Sequence, residues 1–375
     1  MSRVPVRQII PGRRNKENAA DWSAEHANKI SKPWKPDAEK KDNKGCKAGM
    51  APGTAGVTDI SAAAALTCVD QFVGWAVTCG IEGIRQQYLT LKTYQPPNFN
   101  ASSFLVNPTK NRYPDVQCFE DTRVKLTPEL PGEGDYIHAN WCKLEGHEKV
   151  YIATQAPTEA TIVDFWRMCW EHEVVTIVQL CKISEASRQK CSQYWPEKQG
   201  DFKNYGKFFV NNKKVEVEEK FTSLTIELLP EGCSDSRIIK LIQFGQWPDH
   251  GVPLKGITVL RFLRLIATGD KLITGNIVVH CSAGIGRTGT IILIDWVLQR
   301  LFNGEGADVM DLFRKLRNQR AHAIQNEAQY LFVYTTVLDY ISTKYPGKYK
   351  AVVQKLHEEG RGFIQHVKDA AVEKQ

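Results

Sequence analysis

His280-Cys281-Ser282-Ala283-Gly284-Ile285-Gly286-Arg287-Thr288-Gly289 joins one apolar run, Asn276-Ile277-Val278-Val279, to a longer one that ends near Phe302. The first run is short and β-branched, which predicts a buried strand over 276–281; the second has the length of a helix over 288–302. Between them, small residues and two glycines form a loop that runs into a helix N-terminus. Such a loop aims unpaired backbone N–H groups at one spot, where the aligned peptide dipoles favour negative charge. Ser282, Ala283, Gly284, Ile285 and Gly286 are therefore expected to hold an anion through their amides. The same positive field lowers a thiol pKa, so Cys281 is expected to be a thiolate, the nucleophilic form. Arg287 can return over the loop and offer its planar fork to two oxygens of a tetrahedral phosphate. A cysteine and an arginine at this spacing alone carry little weight, and a cysteine-loop sulfurtransferase would hold a thiolate in a similar nest. Strand, loop, arginine and helix together predict attack of sulfur on phosphorus.

Working outward, further segments stand in a fixed order. They are Lys110-Asn111-Arg112-Tyr113-Pro114-Asp115-Val116, then Asp135-Tyr136-Ile137-His138-Ala139-Asn140, then Tyr151-Ile152-Ala153-Thr154-Gln155-Ala156-Pro157. Lys190-Cys191-Ser192-Gln193-Tyr194-Trp195-Pro196 and Trp247-Pro248-Asp249-His250-Gly251-Val252-Pro253 follow. With the cysteine loop, this series resembles the cysteine-based, phosphotyrosine-specific protein tyrosine phosphatases, and the non-receptor kind in particular, from about residue 70 to 343. An aryl phosphate leaves as a phenolate and needs an acid to protonate it. Asp249, between a Trp-Pro pair and Gly-Val-Pro, is the candidate, on a flap that would close over the site and exclude water.

The resemblance implies the remaining roles. Tyr113 would line a deep pocket along the substrate ring, and Asp115 would hold the peptide backbone. Gln325, assisted by Gln329, would position the water that hydrolyses the phosphocysteine; the two stand at i and i+4, a spacing that shares one helix face. Thr288 would donate its hydroxyl to the departing thiolate. Glu185 would pair with Arg287, Lys190 would help hold the closed lid that Trp247 begins, and His280 would steady the loop and the thiolate. His138 stands where the family commonly has asparagine, and His322 near the expected rim would fill a secondary substrate groove. No metal or other cofactor is implied, because arginine and backbone amides take over the charge.

The 375 residues, 42% hydrophobic and 24% charged, suit one large soluble α/β catalytic domain. Its expected fold is a highly twisted mixed β-sheet flanked by helices over 66–345. Strands are predicted at 150–154, 174–180, 214–229 (a meander) and 237–244, and helices at 68–91, 161–173, 254–268, 307–318 and 327–343. The net charge of +7 is concentrated at the N-terminus, where residues 1–50 hold 12 Lys/Arg against 6 Asp/Glu. That predicts a basic, unstructured tail over 1–60, with no signal of nucleic-acid binding. Residues 346–375 are expected to be a polar tail or short helix. Asp70 and Gln71 interrupt the apolar segment 62–81, which argues against a membrane span. Ten scattered cysteines without a Cys-x-x-Cys pair suggest a reducing, cytoplasmic setting. The expected protein is thus a monomer acting on phosphotyrosyl proteins in signalling, the alternative being a silent phosphotyrosine-binding module.

Overall fold

The computed structural model describes residues 56–128, 134–248, 251–253, 255–267 and 275–372. The expected tail lies outside these residues up to position 55, and so does Asp249. The centre of the fold is a nine-stranded mixed sheet. In chain order its strands are β1 (Arg123–Lys125), β2 (Tyr136–Lys143), β3 (Val150–Thr154), β4 (Val174–Gln179), β7 (Phe202–Tyr205), β8 (Phe208–Val217), β9 (Thr222–Pro230), β10 (Arg237–Gln243) and β11 (Asn276–His280). A separate hairpin is made by β5 (Ser184–Glu185) and β6 (Arg188–Gln189). Across the sheet the order is β1-β2-β3-β11-β4-β10-β9-β8-β7.

The four central strands β3, β11, β4 and β10 run parallel, and the flanks are antiparallel. A parallel strand covered on both faces reads as continuous apolar sequence, which is why Ile277, Val278 and Val279 are all buried in β11. The outer strand β7, by contrast, leaves Phe202, Lys203 and Asn204 exposed. Because β11 lies between β3 and β4, its carboxyl end opens where both neighbours also end. Ligands of parallel sheets bind at such a place.

Among the described residues eight α-helices surround the sheet: α1 (Gly56–Leu91), α2 (Ser102–Val106), α3 (Ile162–Glu171), α4 (Gly256–Ala267), α5 (Gly286–Phe302), α6 (Val309–Gln319), α7 (Glu327–Lys344) and α8 (Pro346–Val372). α5 leaves the cysteine loop, packs on β3 and β11, and is enclosed by α1, α4, α6 and α7. Burial on all sides of its first three turns explains the apolar run Ile291–Ile294 and the apolar Trp296 and Val297 after it. The carboxylate in its middle, Asp295, is held by Lys149 Nζ at 2.8 Å and the Tyr151 hydroxyl at 2.8 Å.

Two terminal elements differ from expectation. α1 is longer than the predicted 68–91 and is interrupted at Gly80, whose φ of +64° and ψ of −179° break the helical path. Residues Ala62–Leu91 are long and apolar enough to cross a membrane by length and composition alone. In the structure Val69, Phe72, Val73, Ala76, Ile84 and Tyr88 of this helix belong to the core. The C-terminal segment is one helix of 27 residues rather than a polar tail or short helix. Tyr349, Val353 and Leu356 join the core, so the compact unit continues past the expected boundary at 345. Lys348 and Tyr349 both bond Asp70, which ties α8 to α1.

Candidate active site

The loop between β11 and α5 is shaped by what happens to its carbonyls. The Cys281 carbonyl accepts from His280 Nδ1 at 3.2 Å and the Ser282 carbonyl from the Ala156 N–H at 2.9 Å. Arg320 reaches the next two, Ala283 O through Nη2 at 2.9 Å and Gly284 O through Nε at 3.0 Å. The Ile285 carbonyl accepts from the N–H groups of Gly289 and Ile324, each at 3.0 Å. In a trans peptide the N–H points opposite to the carbonyl before it. Five consecutive carbonyls held outward therefore aim the amides of residues 282–286 inward, around Cys281. Two glycines make this path possible. Gly284 has φ +68°, and a Cβ there would collide with the Thr154 carbonyl of β3; a Cβ on Gly286 would collide with Gln325 and Gln329.

Cys281, Ser282, Ala283 and Arg287 line a cavity of about 420 Å³, together with Tyr113, Asp115, Lys190, Gln325 and Gln329. Arg287 is 3% exposed. Glu185 on the β5–β6 hairpin takes it in a bidentate pair, at 2.8 Å to Nη1 and 2.6 Å to Nη2, and the Leu180 carbonyl after β4 adds a bond of 2.7 Å to Nη1. The expected Glu185 partnership is thus present. It fixes the plane of the guanidinium beside the cysteine loop.

The wall opposite in sequence is built by the Tyr113 loop. Ser282 Oγ donates to the Lys190 carbonyl at 3.0 Å, so it accepts from the Tyr113 hydroxyl at 2.8 Å. That bond stands the half-buried Tyr113 ring at the cavity edge. Gln155 Oε1 accepts from the Arg112 N–H at 2.9 Å while its Nε2 donates to the Lys110 carbonyl at 2.7 Å, holding the loop to the end of β3. Asp115 is exposed at the cavity mouth.

Gln325 and Gln329 come together by a different route from the shared helix face expected. α7 begins at Glu327 with Asn326 as its cap, so Gln325 precedes the helix. Its backbone N–H donates to Gln329 Oε1 at 2.8 Å across the capping turn. The buried Gln329 Nε2 and the Thr288 hydroxyl have no hydrogen-bond partner among the described residues. Buried polar atoms nearly always find one, so the unpaired amide of Gln329, which lines the cavity, marks where a ligand or water belongs.

His280 acts on the loop rather than on the sulfur. Its Nδ1 must donate to the Cys281 carbonyl, so its Nε2 accepts from the Tyr194 hydroxyl at 2.8 Å. Burial lowers its pKa to about 4, which keeps the ring neutral. His138 follows the same logic: Nε2 donates to the Val116 carbonyl at 2.7 Å and Nδ1 accepts from Arg320 at 3.1 Å. Burial and the Arg320 charge lower its pKa to about 3.

Trp247 and Val252 are buried on either side of the undescribed Asp249 and His250, and the Trp247 indole donates to the Gly251 carbonyl at 2.9 Å. Lys190 is buried, and the part of the lid at Asp249 and His250 that it was expected to help hold is not among the described residues. Sequence reasoning missed Arg320 and Arg317, and it quoted Gln155 within a motif without giving it a role. All three act through backbone carbonyls or amides of distant segments, and nothing in local sequence distinguishes the two arginines from surface residues.

A thiol within a ring of inward amides, backed by a fixed guanidinium, is a geometry suited to a tetrahedral oxyanion. Residues 107–339 match the protein-tyrosine phosphatase family, and the chain belongs to that family. It is 38% identical over 258 residues to tyrosine-protein phosphatase Lar of Drosophila melanogaster, covering 68% of this chain and 13% of that protein. Over 256 residues it is 38% identical to receptor-type tyrosine-protein phosphatase zeta of Rattus norvegicus, covering 65% and 11%. Tyrosine-protein phosphatase Lar-like of Caenorhabditis elegans is 38% identical over 280 residues, covering 74% and 12%. The chain thus aligns with about an eighth of the length of these relatives.

Proposed function

We propose that the chain hydrolyses phosphotyrosyl proteins by double displacement through a phosphocysteine on Cys281. The phosphate enters the ring of amides and meets the Arg287 guanidinium. Sulfur attacks phosphorus, the bond to the phenolic oxygen breaks, and Asp249 supplies the proton that this oxygen takes up. A water held by Gln325 and Gln329 then attacks the phosphocysteine, releasing phosphate and returning the thiolate. Charge on the equatorial oxygens is met by donors already aimed, so no reorganisation is needed at the moment of reaction. The observation that carries this reading is the outward run of carbonyls from Cys281 to Ile285. The Tyr113 ring, fixed by Ser282, supports phosphotyrosine over phosphoserine because it adds depth above the sulfur.

Release of inorganic phosphate from a phosphotyrosine peptide under reducing conditions tests it. Turnover by the wild type and binding without turnover by Cys281→Ser are expected. Turnover by Cys281→Ser would remove the sulfur from the reaction. Binding without turnover by the wild type would make the domain a silent phosphotyrosine reader.

The non-receptor, cytoplasmic reading is also our proposal. It is supported by the packing of Val69, Phe72, Val73, Ala76, Ile84 and Tyr88 of α1 into the domain's own core and by the free thiols of the described cysteines. Alkaline extraction of membranes is expected to leave the protein in the supernatant. Recovery in the pellet would overturn this.

A further inference from the structure

We infer that Arg188 reads a carboxylate beside the phosphotyrosine, so that acidic phosphotyrosine peptides are processed in preference to neutral ones. This deepens the phosphatase reading above and rests on it. Glu185 and Arg188 are direct partners in the β5–β6 hairpin. Side chains directly opposed in an antiparallel pair share one face. Glu185 spends both carboxylate oxygens on Arg287, with the Lys182 N–H adding a further bond to Oε1 at 3.1 Å. Arg188, on the same face, is exposed and lines the cavity mouth.

The other arginines of the cavity are committed elsewhere. Arg287 is held by Glu185, and Arg112 donates to the Ala156 and Pro157 carbonyls at 3.0 and 2.5 Å. Arg188 therefore carries the solvent-facing guanidinium of this rim. The hairpin that presents it is stiff. Its two-residue turn, Ala186 and Ser187, has φ of +47° and +60°, although neither residue is the glycine or asparagine that enters this region at low cost. Such backbone strain persists where surrounding contacts over-determine it, and here the Glu185–Arg287 pair does so. A planar guanidinium on a fixed mount suits a carboxylate. Asp115, also at the mouth and negative, repels an acidic residue from its own side, which gives the peptide a direction.

The pair is solvent-exposed, so the effect is modest, about threefold to fivefold in kcat/KM, and it shrinks with salt. The experiment compares two phosphotyrosine peptides that differ only in Glu or Gln at the flanking positions. The wild type and Arg188→Lys are expected to favour the Glu peptide, Arg188→Gln to show a ratio near one, and Arg188→Glu to favour the Gln peptide. A ratio near one in the wild type, or one unaltered in Arg188→Glu, would overturn the assignment. Hydrolysis of para-nitrophenyl phosphate by the wild type reports on the phosphatase reading separately. If it is absent, the same ratio measured as Kd in the Cys281→Ser chain still decides the role of Arg188.

Discussion

Two loops meet at the cavity, and they are built in opposite ways. The Cys281–Gly289 loop follows a path its own residues permit, with glycine where φ is positive, and neighbours then lock its carbonyls. The Ala321–Asn326 turn carries positive φ at His322 (+57°) and at the β-branched Ile324 (+62°), which L residues resist. External bonds hold that strain: Arg317 donates to the Ala323 and Ile324 carbonyls at 2.9 Å each, and the Ile324 N–H reaches Ile285 O. Arg317 and Arg320 lie one turn apart at the end of α6. One helix terminus thus braces both loops, Arg320 the anion ring and Arg317 the turn that delivers Gln325. Precision at the site comes from these long-range donors.

The comparison can be broken at several points. Replacing the nucleophile has the largest effect: Cys281→Ser is expected to lower kcat by about 10⁴-fold or more, since groups acting as a unit fail together. Single-turnover assays and a peptide-binding titration would separate lost chemistry from lost binding. Arg320→Ala strips donors from Ala283 O, Gly284 O, Asn140 Oδ1 and His138 Nδ1. At about 1 kcal/mol for each unsatisfied acceptor, the expected cost is about 4 kcal/mol, with kcat falling about a hundredfold as the amides lose their aim. Urea unfolding and steady-state kinetics check both values. A stable Arg320→Ala with full activity would show that the ring supports itself.

Arg317→Ala strips donors from the Leu91, Lys92, Tyr94, Ala323 and Ile324 carbonyls, about 5 kcal/mol of stability by the same reckoning, but its effect on turnover is expected to be milder. Because it releases the turn bearing Gln325, it should slow hydrolysis of the phosphocysteine more than its formation. Burst kinetics would reveal this as a retained burst with a slower steady state.

The smallest effect concerns pH. His280 and His138 are neutral in the fold, with pKa values lowered to about 4 and about 3 from 6.5. Between pH 6.5 and 4 the unfolded chain binds the extra protons, so stability is full above 6.5 and falls as pH drops. A loss of about 2 kcal/mol per histidine by pH 5 is expected from urea midpoints. His280→Gln should flatten that slope, and an unaltered slope would show that this ring is not the group being titrated.

Much of the frame was legible because periodicity and local chemistry act over a few residues. Strands β3, β4, β10 and β11 and helices α3 to α7 fall close to where alternation and apolar length place them. The cysteine loop was legible for the same reason, since strand, glycines, arginine and helix follow one another without a break. Gln325 and Gln329 were paired for the wrong local reason: an asparagine cap, not a helical turn, brings them together. α8 was underestimated because its polar face hides the spacing of Tyr349, Val353 and Leu356. The two buried histidines could be seen in the sequence, but their partners, Tyr194 and Arg320, could not.

By itself, the sequence determined the candidate nucleophile, the glycine-bearing loop around it and the central strand that delivers them, because each depends on neighbours in the chain. Tertiary structure alone decided which way the loop's peptide groups face, where the Arg287 fork is held and how two strained residues are kept in place. Those outcomes depend on donors from Ala156, Glu185, Arg317 and Arg320, each far from its target in sequence. A hydrogen bond between distant segments leaves no periodic trace in either of them.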